Sequence, residues 1–329
     1  MTKAMLGFDI GACELKLALW DGGCVRWAVS VPLPDHLVKN GVIISYTAMT
    51  DFIKETLREQ HLKVKDCAVI LPAAHAFLRR VTMPAMTVEQ LRINLPYEFR
   101  DFLSLGKDQY FYDYAVNNLV TGEDGRPQEM DLTAAAVPKE IIGEYREMFR
   151  RAGLRLRTAI PAECAYSNLL RARQWPADRE IAFLDLGHTA SRLYIYTGTR
   201  FEATRAIDIG LATLDAAIAD AMGVDEHLAR TYKLANHQDV QSLESAHSIY
   251  NAIALDVRKA VNFYNFNNQG SDLRELVCCG GGAHIPALLE AIGQSVGLLL
   301  SPAADLLPPA QGDEENYNIC AAAIGAAIQ

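Results

Sequence analysis

The chain has 329 residues, half of them hydrophobic, and a formal net charge of −9 at pH 7. A chain of this size and composition buries a large core and favours two domains or several subdomains over one. The acidic balance, without any Lys/Arg-rich run, gives no support to nucleic-acid binding. Seven cysteines without regular spacing are typical of a reducing compartment and do not indicate a disulfide framework.

No segment of the sequence predicts direct insertion into a membrane. Asp9 and Glu14 follow the N-terminus too closely for a signal peptide. The longest run of small and apolar residues, 319–328, is about half of the roughly 20 residues that a membrane-spanning helix needs. We therefore expect a cytoplasmic protein that reaches a membrane only through a partner.

The first predicted element is a tight β-hairpin at residues 5–20. An apolar strand ends at Asp9, Gly11 turns the chain, and the return strand alternates apolar with polar residues, Lys16 among the latter. A glycine after a strand lets backbone N–H groups approach phosphate oxygens, and such amides bind anions. Taken alone, however, an Asp-x-Gly turn is more often an ordinary hairpin.

A small α+β insert is predicted at residues 76–153, after a helix at 50–61 and a short buried strand at 67–71. Within it, Thr87–Gln90 has the sequence of a capping box, and Pro96 predicts a kink or a helix restart at about this point. Each aromatic residue of the insert is typical of core packing, whereas together they predict a groove lining: Tyr97, Phe99, Tyr110, Phe111 and Tyr112.

The hairpin pattern returns at residues 181–196, with Asp185 ending the strand and Gly187 in the turn. A third glycine cluster, 280–282, lies between an apolar segment and a predicted helix. Asp9 and Asp185 would each repel a phosphate group in direct contact, so a cation between these carboxylates and the phosphates is required. Mg²⁺ that keeps several of its waters fits best. Three such turns at one cleft predict a nucleotide pocket.

These motifs, in this order, resemble the two phosphate motifs and the adenosine motif of the actin-like ATPase superfamily. Within it, the chain resembles the PilM family of type IV pilus assembly proteins. The likeness runs almost end to end and is carried by the blocks 69–72, 77–84, 113–116, 134–138, 206–210 and 253–258. It implies an α/β, actin-like (ribonuclease H-like) two-domain ATPase fold with a small α+β inserted subdomain.

The resemblance also implies how the chain divides into domains. We expect a first half of the core at 1–75, the insert at 76–153, a return to the first half at 154–178 and 300–329, the second half at 179–225 and 273–299, and a mainly helical subdomain at 226–272.

The same resemblance implies residues that bind ATP and Mg²⁺. Glu163, at the start of a predicted helix ending near residue 173, is the candidate for orienting the attacking water, although helix N-termini favour Glu in any case. Asp9 and Asp185 are the expected metal ligands. The expected nucleotide-binding residues are Asp9, Gly11, Ala12, Cys13, Lys16, Asp185, Gly187, His188, Thr189, Gly210, Gly280, Gly281 and Gly282.

The first turn departs from the superfamily pattern. Ala12 and Cys13 stand where Ser or Thr hydroxyls are usual, and each lost hydrogen bond weakens phosphate binding by about 1 kcal/mol. Thr189 and Ser191 keep hydroxyls in the second turn. We therefore expect nucleotide binding with at most slow hydrolysis.

As a function, the resemblance implies a cytoplasmic ATP-binding adaptor of type IV pilus assembly, or of a related secretion or competence machine. Its insert and the adjoining core would accept the cytoplasmic N-terminal tail of a PilN-like inner-membrane protein of the assembly platform. Three alternatives stay open: a catalytic ATPase or sugar kinase of the same fold, an FtsA-like filament-forming cell-division protein, and a scaffold with an empty pocket. The lack of a second acidic motif disfavours a kinase, and the lack of an amphipathic membrane helix disfavours FtsA.

Overall fold

The computed structural model describes residues 4–39, 41–123, 125–307 and 314–328, so the predicted ranges 1–75, 76–153 and 300–329 lie partly outside the description. The chain begins with three antiparallel strands, a short two-stranded hairpin, a helix and a buried strand. These elements are β1 (Met5–Ile10), β2 (Glu14–Asp21), β3 (Cys24–Pro32), β4 (Val38–Lys39), β5 (Val42–Ile43), α1 (Tyr46–Glu59) and β6 (Asp66–Leu71).

The insert follows as a three-stranded antiparallel sheet with a helix above it. Its elements are β7 (Phe77–Pro84), α2 (Val88–Asn94), β8 (Tyr110–Thr121) and β9 (Pro127–Pro138), in the sheet order β7-β9-β8. The capping box is confirmed, because the side chains and backbone N–H groups of Thr87 and Gln90 bond reciprocally. The predicted restart is also confirmed, since α2 ends at Asn94 and a 3₁₀ turn begins at Leu95, before Pro96.

Helix α3 (Lys139–Arg151) leads back to the first sheet through β10 (Arg155–Pro161) and α4 (Ala162–Arg173). The first sheet has the order β10-β6-β1-β2-β3. Although the sequence assigned α3 to the insert, its buried Tyr145, Met148 and Phe149 belong to the core of the first sheet, and Phe149 meets Phe8 edge-on at 4.8 Å between ring centres. Helix α3 thus covers the first sheet beside α1.

The second half repeats this plan. Its elements are β11 (Glu180–Leu186), β12 (Ser191–Thr197), β13 (Arg200–Ile207), α5 (Leu211–Met222), α6 (Glu226–Ala235), α7 (Glu244–Asn267), β14 (Glu275–Cys279), α8 (Pro286–Val296) and β15 (Leu299–Pro302). The sheet order is β13-β12-β11-β14-β15. In both sheets an antiparallel hairpin lies next to parallel strands, which is the duplicated arrangement predicted from the two sequence repeats.

Near the C-terminus, α9 (Glu314–Ile319) is followed by α10 (Ala321–Ala327), which the run of small residues forms. Helix α10 is buried between α4 and strands β1, β2 and β6. Its backbone approaches so closely that a Cβ at Gly7 would collide with the Ala323 carbonyl oxygen, and one at Gly325 with the Ala165 carbonyl oxygen. The run therefore serves core packing. Within the described residues, no helix is long and apolar enough to span a bilayer.

This close packing predicts opposite effects for two Gly→Ala changes within helices. Gly325→Ala forces a methyl group against the α4 backbone and should lower the free energy of unfolding by about 1–3 kcal/mol. Gly143→Ala in α3 meets no atom within 4 Å and should raise it by about 0.5–1 kcal/mol. Urea unfolding of both variants measures the difference, and equal shifts would contradict the described packing of α10.

Candidate functional site

Two equivalent hairpins place a carboxylate opposite a cation at the same position. In the β1–β2 hairpin, Asp9 pairs with Lys16, and in the β11–β12 hairpin, Asp185 pairs with Arg192. All four side chains line one cleft between the two sheets. The sequence interpretation missed Arg192, although its separation from Asp185 is the same seven residues that separate Lys16 from Asp9.

The cleft encloses about 240 Å³ and brings most of the predicted site residues together. Its lining includes Asp9, Gly11, Ala12, Cys13, Lys16, Glu163, Asp185, Gly187, His188, Thr189 and Gly281. Gly210, Gly280 and Gly282 do not line it. The two predicted phosphate turns therefore face one space, and one residue of the third glycine cluster faces it with them.

Lys16 is the central cation of the cleft. Its ammonium lies 3.4 Å from Asp9 Oδ2, and the residue is 8 % exposed. Burial alone would lower the pKa of Lys16, but the carboxylates of Asp9, Asp185 and Glu14 outweigh it and raise that pKa. Burial also raises the pKa of Asp185. The positive charge of Lys16 opposes this shift, and the negative charge of Asp9 reinforces it. Lys16 therefore stays charged and is attracted by the carboxylates of both hairpins.

The turn glycines are required by close backbone approach. A Cβ at Gly11 would lie 3.0 Å from the Glu14 carbonyl oxygen, and one at Gly187 would lie 2.5 Å from that of Ala190. Both contacts occur three residues further along, so the two turns have the same geometry. Each turn presents its backbone to the cleft without a side chain at its glycine.

The other predicted glycines have packing roles. A Cβ at Gly210 would collide with the His188 carbonyl oxygen, so this glycine lets α5 begin directly against the second turn. Gly280 has φ of 81°, and a Cβ there would collide with Asp185 Oδ1. Gly282 packs in the same way against the Leu186 side chain. These three glycines therefore allow close packing against the second hairpin and its turn.

One predicted hydroxyl of the second turn is used internally. Ser191 is 1 % exposed, and its hydroxyl donates to the Ile209 carbonyl oxygen at 3.1 Å. Thr189, by contrast, lines the cleft. Of these two residues, only Thr189 therefore offers a hydroxyl to the cleft.

A buried charge cluster adjoins the second turn, and the sequence interpretation missed it. Asp215 on α5 is fully buried, with Lys233 Nζ 2.6 Å from Oδ1 and Arg230 Nε 3.3 Å from Oδ2, both cations coming from α6. His188 Nδ1 lies 3.6 Å from Oδ2. Burial and the nearby Arg230 lower the pKa of His188 despite Asp215, so its imidazole is neutral at pH 7. Arg230 and Lys233 both line the cleft.

Glu163 lies at the start of α4, on the first-half side of the cleft. Its Oε1 accepts a hydrogen bond from Thr204 Oγ1 at 3.1 Å, although Thr204 belongs to β13 of the second half. Burial raises the pKa of Glu163, and hydrogen bonds from its own backbone and from Thr204 oppose that shift. The carboxylate thus spans the two halves at one end of the cleft.

The donor set suits a hard cation that keeps most of its own waters. Among the residues described, no three His, Cys, Asp or Glu side chains group closely enough to hold a metal ion by themselves. Asp9 and Asp185 supply only two carboxylates, which matches Mg²⁺, an ion that is held by few carboxylates together with waters and phosphate oxygens. The residues present therefore fit the predicted ion.

A second cavity, a groove of about 430 Å³, lies between the insert and the core. Its walls are formed by strands β8 and β9 of the insert, by the β10–α4 junction, and by residues 199–201 at the start of β13 in the second half. Of the five aromatic residues predicted for a groove, Phe111 and Tyr112 line it. The other three do not, because Phe99 and Tyr110 are buried in the core of the insert and Tyr97 is 53 % exposed elsewhere.

The duplicated sheets and the cleft between paired hairpins define an actin-like ATPase fold. The family described as type IV pilus assembly protein PilM matches residues 7–308, and the chain belongs to this family. Two solved structures are similar to it. A "PilM-PilN type IV pilus biogenesis complex" matches with 20 % identity over 98 % of this chain and 97 % of that chain, at a TM-score of 0.82. The ethanolamine utilization protein EutJ from Carboxydothermus hydrogenoformans matches with 14 % identity over 100 % of this chain and 90 % of that chain, at a TM-score of 0.64.

The charge balance around Lys16 predicts a pH-dependent loss of stability in Lys16→Met. This change leaves two partly buried carboxylates without the nearby Lys16 cation, so we expect a loss of about 3 kcal/mol at pH 7. The loss should shrink as the pH falls towards 5, because Asp185, whose pKa is already raised, then binds a proton in the folded state. Denaturant unfolding between pH 5 and 8 measures this dependence.

Lys54→Met is the matched control, since Lys54 pairs with Asp51 at 3.1 Å on the surface of α1. It should change stability by less than about 0.5 kcal/mol at every pH. A loss in Lys16→Met that stays constant across this range would contradict the assigned role of Lys16.

Proposed function

We propose that this protein binds ATP with Mg²⁺ in the cleft and acts as a cytoplasmic adaptor in type IV pilus assembly. The observation that carries the nucleotide part is the convergence of two equivalent Asp–cation hairpins, Asp9 with Lys16 and Asp185 with Arg192, on one cleft. Membership of the PilM family supports the pilus part.

The charges of the cleft support binding of the nucleotide together with a cation. Four carboxylates and four cations line it, so a free polyanion gains little net attraction, whereas Mg²⁺ would offset part of the phosphate charge and would itself be attracted by the carboxylates. The acidic residues are Asp9, Glu14, Glu163 and Asp185, and the basic residues are Lys16, Arg192, Arg230 and Lys233.

In this proposal each group of residues has a distinct role. Asp9 and Asp185 hold Mg²⁺ through its waters, and the ion supplies charge neutralisation at the phosphates. Lys16 and Arg192, together with the backbone amides of the two turns, hold the phosphate oxygens. A Cβ added at Gly281 would meet no backbone atom within 4 Å, so this glycine leaves room for the nucleoside.

Hydrolysis is expected to be slow. The first turn lacks hydroxyl donors at Ala12 and Cys13, and the Ser191 hydroxyl of the second hairpin is bonded to a backbone carbonyl. Glu163 is the residue proposed to orient a water molecule, but its Oε1 already accepts a hydrogen bond from Thr204, which leaves this oxygen less free to accept one from water. Bound nucleotide therefore acts chiefly by holding the two halves together.

We further propose that the groove beside the insert binds the cytoplasmic N-terminal tail of a PilN-like inner-membrane protein. Its walls are largely apolar, with Leu78, Phe111, Val137 and Phe201 among them, so it suits an extended segment with apolar side chains. The solved complex that this chain resembles over nearly its whole length contains PilM and PilN, which supports this partner. The protein would then lie at the inner face of the membrane through that partner.

The cation requirement predicts how ATP binding responds to Asp9→Asn. Calorimetry with Mg²⁺ should show ATP binding to the natural protein, and chelation by EDTA should weaken it. Asp9→Asn should lose at least about tenfold in affinity with Mg²⁺ present, or about 1.4 kcal/mol, and little in EDTA, since without the ion the Asp9 carboxylate has no attraction for the phosphates to lose.

Asp21→Asn is the control, because Asp21 lies at the end of β2 away from the β1–β2 turn. This variant should bind ATP as the natural protein does. ATP binding that is unaffected by both EDTA and Asp9→Asn would refute the proposed cation site, and a lack of binding would refute the nucleotide proposal.

The groove assignment predicts a selective effect of Ala135→Arg on partner binding. Ala135 lies on the groove face of β9, so an arginine there fills the space. A synthetic peptide with the N-terminal segment of the cognate PilN-like protein should bind at least about tenfold more weakly, while ATP binding without the peptide stays unchanged. Asn118→Arg, exposed on β8 outside the groove, should leave both unchanged. Normal peptide binding by Ala135→Arg would place the partner elsewhere.

A further inference from the structure

Two segments that are far apart in the sequence bring basic residues together at the end of the first sheet away from the cleft. Strands β6 and β10 run parallel and reach the cleft with Leu71 and Pro161, so their first residues lie about 15–20 Å from it, at roughly 3.3 Å per residue. Arg155 lies opposite Asp66 in the register, and its backbone N–H donates to the Lys65 carbonyl oxygen at 2.7 Å. The exposed cations of the two segments form a basic patch: Lys63, Lys65, Arg150, Arg151, Arg155 and Arg157.

The arginines of the basic patch share too few carboxylates. Asp66 is buried, and its Oδ1 lies 2.9 Å from Arg155 Nε and 2.8 Å from Arg157 Nε. Glu147 binds the two arginines that end α3, each at 2.7 Å. One carboxylate therefore serves two guanidinium groups at each of these places, and positive charge is left over.

The two lysines add charge that no carboxylate offsets. Lys63 and Lys65 are exposed, and neither has an ion pair with any residue that the structure describes. The six cations of the patch exceed the nearby acidic residues, Asp66, Glu147 and the exposed Glu59, by three charges. Because the whole chain carries a net charge of −9, this positive charge is confined to one end of the first sheet.

We infer that the basic patch binds the anionic headgroups of a lipid bilayer by charge alone, without inserting into the bilayer. The proposed function attaches the protein to a membrane only through a partner, and this contact would act beside that attachment. Strand β10 carries the patch at its start and lines the groove with Ala159 and Ile160. A tail of a membrane protein in the groove would therefore hold the patch close to the bilayer, where weak binding suffices. The inference rests on the proposed function for this tether alone.

The composition of the patch favours a lipid surface over a nucleic acid. Proteins that bind single strands stack bases on aromatic side chains, and neither segment, 61–66 or 150–157, contains Phe, Tyr or Trp. The apolar residues between the cations, Leu62, Val64 and Leu156, are partly buried, so they offer little surface for insertion. Headgroups require neither feature, because each cation close to an anionic leaflet raises the affinity by a factor of roughly five.

The net negative charge of the chain does not prevent this binding at physiological ionic strength. At about 0.15 M salt the Debye length is about 8 Å, whereas a chain of this length has a radius of gyration of about 20 Å. Most acidic residues are therefore screened from a bilayer that touches the patch, while the patch itself is not. At about 1 M salt the Debye length falls to about 3 Å, and the attraction should be lost.

Flotation of the natural protein with lipid vesicles tests this inference. At about 0.15 M salt, vesicles of equal parts phosphatidylcholine and phosphatidylglycerol should bind it at least about twentyfold more strongly than vesicles of phosphatidylcholine alone. Lys63→Gln combined with Lys65→Gln should lose at least about tenfold of this affinity. The lysines are chosen because replacing Arg155 or Arg157 would leave the buried Asp66 with less compensation.

Arg92→Gln combined with Lys259→Gln is the matched control, since it removes two exposed cations outside the patch and changes the net charge equally. It should bind both kinds of vesicle as the natural protein does. Equal binding of the natural protein to both kinds of vesicle, equal losses in the two double variants, or binding that persists at about 1 M salt would overturn the inference.

Two further measurements separate this inference from other assignments. ATP and the peptide described above should bind to both double variants without vesicles as they do to the natural protein. If they fail to bind to the natural protein while the vesicle results hold, the proposed function falls and the lipid contact stands. A fluorescein-labelled oligothymidylate that binds the natural protein but not the Lys63→Gln, Lys65→Gln variant, without any binding to anionic vesicles, would assign the patch to a nucleic acid and overturn the inference.

Discussion

Two carboxylates that face one buried space impose the main electrostatic constraint on this protein. Removing an ion from water costs several kcal/mol unless a partner compensates for it, and two like charges at one site increase the cost. The duplicated hairpin solves this problem locally, because the strand that carries each carboxylate is followed by a strand that carries a cation at the paired position. Lys16 lies 3.4 Å from Asp9 and is also attracted by the Asp185 carboxylate of the other half.

The same constraint explains why the halves meet at charged contacts as well as apolar ones. Asp215 holds Arg230 and Lys233 from α6 at the edge of the cleft, and His227 of the same helix pairs with Asp35 of the first half at 2.7 Å. An exposed pair of this kind contributes at most about 1 kcal/mol, so it biases the relative position of the halves without fixing it. A ligand that contacts both halves can then shift that position with modest binding energy.

Local sequence signals predicted much of this fold correctly. The hairpins, the capping box of α2 and the restart before Pro96 each depend on residues within one turn or one strand pair, and all are present. Arg192 was also predictable, since the seven-residue separation in the first hairpin identifies it. These features need no knowledge of the tertiary structure, because the interacting residues are close in the chain.

The features that sequence reasoning missed depend on distant residues. Nothing in a mainly helical segment distinguishes Lys233 from a solvated lysine until α6 packs against the buried Asp215 of α5. A glycine cluster likewise does not show which member faces a ligand, and here Gly280 and Gly282 pack against the second hairpin while Gly281 faces the cleft. The buried aromatic residues of α3 pack on the first sheet, but their spacing in the sequence fits the core of the insert equally well.

The loss of hydroxyl donors in the first turn agrees with a site in which occupancy matters more than turnover. A catalytic site gains from every donor that stabilises the transferring phosphoryl group, whereas a site that holds two halves together gains only from contacts present in the bound state. In the proposed function, the amides of the Gly11 turn and the charges of Lys16 and Arg192 would supply contacts of the second kind. In the proposed function, each missing hydroxyl would weaken nucleotide affinity by about 1 kcal/mol, roughly a factor of five.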